Sequence, residues 1–582
     1  MDGKKLEYKG WAALKEIEKL TEKADEVQET ILKEILMQNG ETEYLSKHMK
    51  GSKDVEKFKL HVPVITYKDV CNYIQRIANG ESSSLVTGHR VTEMLCSSGT
   101  SAGEPKLMPS IAEDLDRRTF VYNLIMPIMN QYVPGLDEGK AMFLYFIKAE
   151  MSTPCGLPAR TVLTSYYKSK HFKCRTRDAF NDFTSPDQAI LCKDSNQSMY
   201  CQLLSGLVHR LQVLRLGAVF ASAFLRAISF LERNWGRLCN DIRSGVLDPT
   251  ITDPECRSCM SMVLASPNPC LADEIEDICS HTSWKGILCQ LWPRAKYIEA
   301  VVTGSMAQYI PALEYYSEGK LPLVCTMYAS SERGLHPLPN MCYFEFIHLG
   351  DNGTWLVNID EEGEVPNDKL VNLVSVRLGS YYELVVTTFA GLYRYRIGDV
   401  LRVTGFHNKA PQFQFICRIN VVLSIDNDKT NEEDLQKSIT SAKKLLEPHD
   451  ALLVEYTSYA DTSSVPGHYV LYWEILHDSS SFLDSSAELD FKLLQECCIS
   501  VEEELDYVYR RCRAHDKSVG PLEIRVVESG TFDALMDFFI GQGASINQYK
   551  TPRCIKSNAA LKLLNSHVKA SAFSPRDPAW IP

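Results

Sequence analysis

The chain has 582 residues, 45% hydrophobic and 23% charged, so it is long enough for several domains and globular in composition. Its formal net charge of −12 argues against a nucleic-acid partner, because gripping a phosphate backbone calls for a basic face. A small anionic ligand needs only a local cluster of positive charge and is not excluded.

Residues 1–9 have neither the apolar stretch of a signal peptide nor the Arg/Ser-rich character of a transit peptide. A cytosolic (cytoplasmic) protein is expected, with its 19 cysteines as reduced thiols. Leu14, Ile17, Leu20, Ala24, Val27, Ile31 and Ile35 recur at three and four residues. That spacing predicts one long amphipathic helix packed on the body of the protein, with a partner-binding helix as the alternative.

Residues 96–106 read Cys-Ser-Ser-Gly-Thr-Ser-Ala-Gly-Glu-Pro-Lys, after an apolar run that includes Val91, Met94 and Leu95. So little side-chain bulk lets backbone N–H groups turn toward one oxyanion. Ser98 and Thr100 add hydroxyl donors and Lys106 adds positive charge. The loop suits the phosphates of ATP. It lacks the Gly-Lys-[Ser/Thr] ending of a P-loop, which disfavours a P-loop kinase. Taken alone, it also reads as a Ser/Gly turn between two elements.

The most apolar window, Val219 to Phe230, is short and carries Arg226, so it predicts a buried helix and not a membrane span. Cys256 and Cys259 form one Cys-x-x-Cys, with no second pair and no histidines at finger spacing. Buried thiols are therefore favoured over a zinc or redox site. Tyr297 to Gly304 predicts a buried strand ending in a polar turn, and Leu323 to Tyr328 predicts another.

Tyr328-Ala-Ser-Ser-Glu332 follows that second strand. Its ring can lie by a base, its small residues allow close backbone approach, and Glu332 can hold Mg²⁺ on phosphate oxygens. The plain alternative is a core tyrosine with a solvated carboxylate. Tyr382 to Val403 reads as strand, turn and strand, with Tyr393, Tyr395 and Ile397 on one face and Arg394 and Arg396 on the other. Gly398 permits a tight turn, and Asp399 can accept from both hydroxyls of a ribose, or is a simple turn aspartate.

Around residues 424–431 the composition becomes polar and turn-forming, which places a domain boundary there. The expected division is 1–424 and 425–582. The second unit reads as helix (Glu432 to Leu446), strand (Ala451 to Tyr456), strand (His468 to Ile475) and helix (Asp490 to Arg511). The tail from His567 is expected to be loosely ordered.

Cys-Ser-Ser-Gly-Thr-Ser-Ala-Gly, Tyr-Ala-Ser-Ser-Glu and Tyr-Arg-x-Gly-Asp, in this order and spacing, closely resemble the plant Gretchen Hagen family of acyl-acid amido synthetases. These belong to the adenylate-forming superfamily. Residues 156–160, 302–310, 423–430 and 548–553 extend the resemblance across nearly the whole chain. It implies a luciferase-like α/β fold: a large N-terminal domain of β-sheets or β-barrel with flanking helices, and a small mobile α+β C-terminal domain. It further implies a two-step ligation in which a carboxylate attacks Mg·ATP, pyrophosphate leaves, and an amino acid attacks the acyl-adenylate to give an amide and AMP.

By motif matching, the resemblance puts Ser97, Ser98 and Thr100 on phosphate and lines the ATP pocket with Met327, Tyr328, Ala329, Ser330 and Ser331. It makes Glu332 the Mg²⁺ ligand, Asp399 the ribose clamp, Lys429 a hinge-side contact to the α-phosphate, and Lys550 a mobile lysine serving adenylation. Arg118 matches an arginine that fixes the acyl carboxylate. Its plain reading is an exposed helix arginine beside Asp114. Ile125, Val162, Leu163, Val219, Met327 and Ala329 match apolar walls around an aromatic ring.

Two departures stand out from the family pattern. After Glu332 the connection to Tyr343 is short, and Gly334 stands where relatives begin an aromatic-rich run closing the acyl pocket. The pocket is then either open to a longer acid, or its wall has collapsed and catalysis is impaired. Ile419 replaces a usually basic residue at the domain junction. The expected partners are an auxin-like acid, most simply indole-3-acetic acid, and a free amino acid, with no nucleic acid, no membrane and a monomeric chain. The rivals are an adenylating enzyme with a thiol acceptor and a catalytically impaired hormone-binding homologue.

Overall fold

A computed structural model describes residues 11–96, 106–147, 150–175, 177, 179, 181–281, 283–326, 338–351, 354–355, 369–418, 421–425, 428, 430–464, 466–477, 491–544, 546 and 549–580. The predicted N-terminal helix is two helices, Trp11–Glu22 and Ala24–Asn39. The break falls at Lys23, whose backbone leaves the helical region at φ −111° and ψ 31°. Periodicity alone cannot see such a break, because the apolar stripe continues across it.

At the centre lies a four-stranded parallel sheet with neighbours in the order Lys140–Leu144, Val213–Phe220, Tyr297–Val301 and Leu323–Val324. Every residue of Val213–Phe220 is buried, as a strand covered on both faces requires. Gly217 lies opposite Glu299, where an added Cβ would fall 2.0 Å from the Glu299 carbonyl oxygen. Only glycine lets the two strands approach this closely. The predicted helix Val219–Phe230 begins two residues later than expected. Val219 and Phe220 finish the strand, and the helix runs Ala221–Ser244. The strand predicted over Leu323 to Tyr328 is described as Leu323–Val324, and residues 327 and 328 lie outside the described residues.

A second sheet takes the order Leu107–Ile111, Val91–Cys96, Pro158–Arg160 and Met151–Ser152. A third, six-stranded and antiparallel, is built on Tyr343–Asp351, Tyr381–Thr387, Tyr395–His407 and Ala410–Arg418. The two predicted strands at 382–403 are therefore present. Gly398, however, is not in the turn between them. It lies inside Tyr395–His407 with φ 82°, where the register against Tyr381–Thr387 slips. A slip of this kind twists a strand and re-aims the side chain that follows, here Asp399.

Arg394 and Arg396 are buried in carboxylate pairs. Arg394 donates Nε and Nη2 to the Glu345 carboxylate at 2.9 and 2.8 Å, and Arg396 does the same to Glu383 at 2.9 and 2.8 Å. All four side chains are buried. Paired forks of this geometry make buried charge tolerable.

The C-terminal sheet has the order Ala451–Asp461, His468–His477, Glu523–Val527 and Val568–Phe573. The predicted helix 490–511 is split into Phe491–Glu504 and Tyr507–Arg511, because the Asp506 carboxylate caps a new start by accepting from Tyr509 N–H at 2.7 Å. The tail is not loose: Val568–Phe573 is a sheet strand, and Ala572 is buried against the core. Among the described residues no helix is long and apolar enough to cross a membrane. The cysteines described are free thiols. Cys256 and Cys259 are buried, and burial pushes the Cys259 thiol up to about 11. Cys192, Asp253 and Cys256 offer ligand atoms within 4.8 Å of one another.

Candidate active site

In a parallel sheet the helices cover the faces and leave the carboxyl ends of the strands as the natural place for a ligand. Phe220 and Val301 mark those ends here. The cleft opens against the sheet itself, beside Phe143, Arg215 and Glu299 of three neighbouring strands, and is walled by aromatic rings. Tyr122, Tyr166, Tyr167, Phe172, Phe143, Tyr145 and Phe183 line it together with Ile125, Met126, Leu163, Arg175, Asn181, Arg215 and Glu299.

One helix supplies a whole wall. Ala112–Tyr132 presents Tyr122, Ile125 and Met126 to the cleft, and Arg118 lies one turn before Tyr122 on the same face. Arg118 is 3% exposed, so it is not the surface arginine of the plain reading. The arginine beside Asp114 is the half-buried Arg117, which reaches Asp114 at 3.1 Å and stacks its guanidinium on the Phe389 ring at 3.7 Å. Arg118 donates Nη2 to Ser110 Oγ at 3.4 Å, while its Nη1 is buried without a hydrogen-bond partner among the described residues. A buried guanidinium with an unused donor beside an apolar cleft is a ready seat for a carboxylate. Burial pushes the neighbouring Tyr122 hydroxyl up to about 12, against the opposing charge of Arg118.

The floor of the cleft is polar. Arg215 and Glu299 come from neighbouring strands, and burial raises Glu299 above the usual carboxylate range while Arg215 and the Thr326 hydroxyl oppose that rise. Thr326 donates to Glu299 at 2.5 Å, so the chain passes this floor just before residue 327. The Ser/Gly loop is likewise framed by what flanks it. Strand Val91–Cys96 pairs in parallel with Pro158–Arg160, and the chain then turns into helix Val162–Lys168, which carries Leu163 to the cleft. Ser165 donates to the buried Glu93 at 2.6 Å, and Arg160 meets Glu93 at 3.1 Å. Those contacts lock the frame. Lys106 places Nζ 5.5 Å from the Tyr67 ring.

Of the remaining predicted residues, Val219 is buried in the core cluster that holds Leu163, and Val162 is buried in the adjoining cluster with Cys96 and Ile397. Neither lines the cleft described above. Asp399 is buried on the strand Tyr395–His407, opposite Arg418. Lys550 is half-buried with Nζ 5.5 Å from the ring of Phe220, at the carboxyl end of the parallel sheet. Ser97, Ser98, Thr100, Met327, Tyr328, Ala329, Ser330, Ser331, Glu332, Gly334, Ile419 and Lys429 lie outside the described residues.

Sequence reading missed the aromatic wall and the Arg215–Glu299 floor. A signal existed for both: two consecutive tyrosines follow Gly-Leu-Pro-Ala-Arg, and Glu299 interrupts an otherwise apolar strand.

Comparison with known proteins matches three family models in succession. They are the GH3 family N-terminal domain over residues 13–323, central domain over 335–418 and C-terminal domain over 433–559. The putative indole-3-acetic acid-amido synthetase GH3.9 of Arabidopsis thaliana is 67% identical over the full length of both chains. The probable indole-3-acetic acid-amido synthetase GH3.11 of Oryza sativa subsp. japonica is 63% identical, covering 99% of each chain. The solved GH3.15 acyl acid amido synthetase superposes with a TM-score of 0.87 at 46% identity, covering 98% of each chain.

Proposed function

Since the chain belongs to the GH3 family, we propose that it is an ATP-dependent ligase joining a small carboxylic acid to an amino acid through an acyl-adenylate, with indole-3-acetic acid as the acid. The observation that carries the reading is Arg118: a buried cation whose Nη1 has no hydrogen-bond partner among the described residues, one helical turn before Tyr122 of a cleft walled by aromatic rings. A flat aromatic acid would lay its ring among the tyrosines and its carboxylate on that guanidinium.

Attack of a carboxylate on a phosphate brings two anions together, so the site must supply fixed positive charge and hydrogen-bond donors where charge develops. Ser97, Ser98 and Thr100 would cradle phosphate, while residues 327–331 and Asp399 would hold the nucleoside. Lys429 and Lys550 would bring charge to the α-phosphate. Glu332 would hold Mg²⁺, which when bound neutralises the departing pyrophosphate. Exclusion of water from the closed cleft protects the adenylate until the amine arrives. A C-terminal unit beginning near residue 424 is the proposed mobile part; Leu435, Trp473 and Leu522 share one buried cluster there, which Leu423 joins from before the proposed boundary.

The test is direct. Purified protein, ATP and indole-3-acetic acid, offered a panel of twenty amino acids, should yield an amide and AMP by mass spectrometry. A thioester formed only with coenzyme A would reassign the acceptor. Acid binding without acid-dependent pyrophosphate exchange would mark a binding protein. Two substitutions refine the assignments. Asp399→Ala should raise KM for ATP about tenfold, the scale of one lost charge-assisted hydrogen bond, and leave KM for the acid unchanged. Lys550→Ala should slow pyrophosphate exchange about 100-fold while calorimetry still registers acid binding. An unchanged exchange rate removes Lys550 from the mechanism.

A further inference from the structure

Glu455 belongs to the C-terminal strand Ala451–Asp461, at a point where its register against His468–His477 slips. The slip turns the carboxylate into the interface with the rest of the chain, where it is buried. Three side chains from two segments donate to it. Thr551 Oγ1 reaches Oε2 at 2.8 Å, Arg553 Nη1 reaches Oε1 at 2.8 Å, and the Tyr309 hydroxyl donates to Oε2. Tyr309 closes the turn Gly304–Tyr309, just after the strand that carries Glu299 of the cleft floor. The sequence marked residues 302–310 as a family stretch without giving them a task.

Lys550 is held between two such ties. On one side the Tyr549 carbonyl accepts from Ser222 Oγ at 3.1 Å, at the start of the helix that follows Phe220. On the other side is Thr551, bound to Glu455. Beyond it Arg553 packs its guanidinium over the Tyr456 ring at 4.3 Å, and its carbonyl accepts from Ser458 N–H at 3.0 Å. The segment is thus anchored on its C-terminal side, and among the described residues it meets the N-terminal part of the chain at Ser222 and Phe220 and, through Glu455, at Tyr309. Arg226 and Asp537, 2.7 Å apart, add an exposed contact to the same interface.

We propose that Glu455 is a positioning residue for Lys550: the Tyr309 hydroxyl and the Glu455 carboxylate meet only when the C-terminal unit is docked with Lys550 at the carboxyl end of the parallel sheet. One carboxylate therefore couples docking to placement of the lysine. The functional half of this inference rests on Lys550 serving adenylation; the docking half does not.

Tyr309→Phe removes one hydroxyl and no apolar bulk. Hydrogen–deuterium exchange of the free protein should show uptake at least doubled in segments 304–310 and 549–553, and unchanged in the strand Val213–Phe220. Acid-dependent pyrophosphate exchange should fall at least tenfold. Aminolysis of chemically prepared acyl-adenylate should stay within twofold, a split that general loosening of the fold would not produce. Thr551→Val, which removes another donor, should move both readouts the same way. Unchanged uptake in both segments, or an equal fall in the two half-reactions, overturns the proposal. If the unmodified protein shows no pyrophosphate exchange, the ligase reading fails, and the exchange of deuterium still decides the docking role of Tyr309 and Glu455.

Discussion

Arg118→Met is expected to lower kcat/KM for the acyl acid about 100-fold, near 2.7 kcal/mol, while leaving the fold as stable as before or slightly more so. Two observations combine to give this sign. The guanidinium is buried, and its described polar contact is one hydroxyl, Ser110 Oγ at 3.4 Å. A buried cation without a carboxylate costs the unliganded fold free energy, which a methionine of similar length would relieve. The same cation gains most when a substrate carboxylate supplies the missing charge. Stability and activity should therefore move apart, as they do where a site carries strain for function. Thermal unfolding beside steady-state kinetics on varied acid checks it. A variant that loses stability and activity together would make Arg118 a structural residue.

Glu345→Ala is expected to cost about 3–5 kcal/mol, because it leaves the buried Arg394 without its Glu345 carboxylate. Arg394 also donates Nη1 to the carbonyl oxygens of Lys59 and Val62 at 2.7 and 3.0 Å, so it cannot swing out to water without breaking the N-terminal contacts of the sheet. Replacing both partners, with Glu345→Met and Arg394→Met together, should recover much of the loss, since no charge is then stranded. Denaturant unfolding of the two single variants and the double variant measures the coupling. Additive losses would show that the pair does not act as a unit.

Of the residues the resemblance puts around the acyl acid, Ile125 and Leu163 line one aromatic cleft and Arg118 lies one turn from Tyr122 of it. Other readings failed for reasons that can be named. The stripe from Leu14 to Ile35 hid a break at Lys23, because a helix interruption of one residue preserves the face. The polar tail after His567 hid an edge strand, because such a strand needs only one buried position, Ala572, to be held. That Arg394 and Arg396 are buried on Glu345 and Glu383 was not legible, since nothing local in the chain announces those partners.

By itself, the order of residues determined the family, the α/β character and the chemistry of activation, because the family's motifs are local side-chain types at short spacings. Only the tertiary structure decided that Arg118 and not Arg117 is the buried cation, that Arg215 and Glu299 make a polar floor, and that Glu455 gathers Tyr309, Thr551 and Arg553. Each of these depends on groups far apart in the chain meeting where water is excluded. Burial and pairing of that kind are properties of the packed whole, and no short segment encodes them.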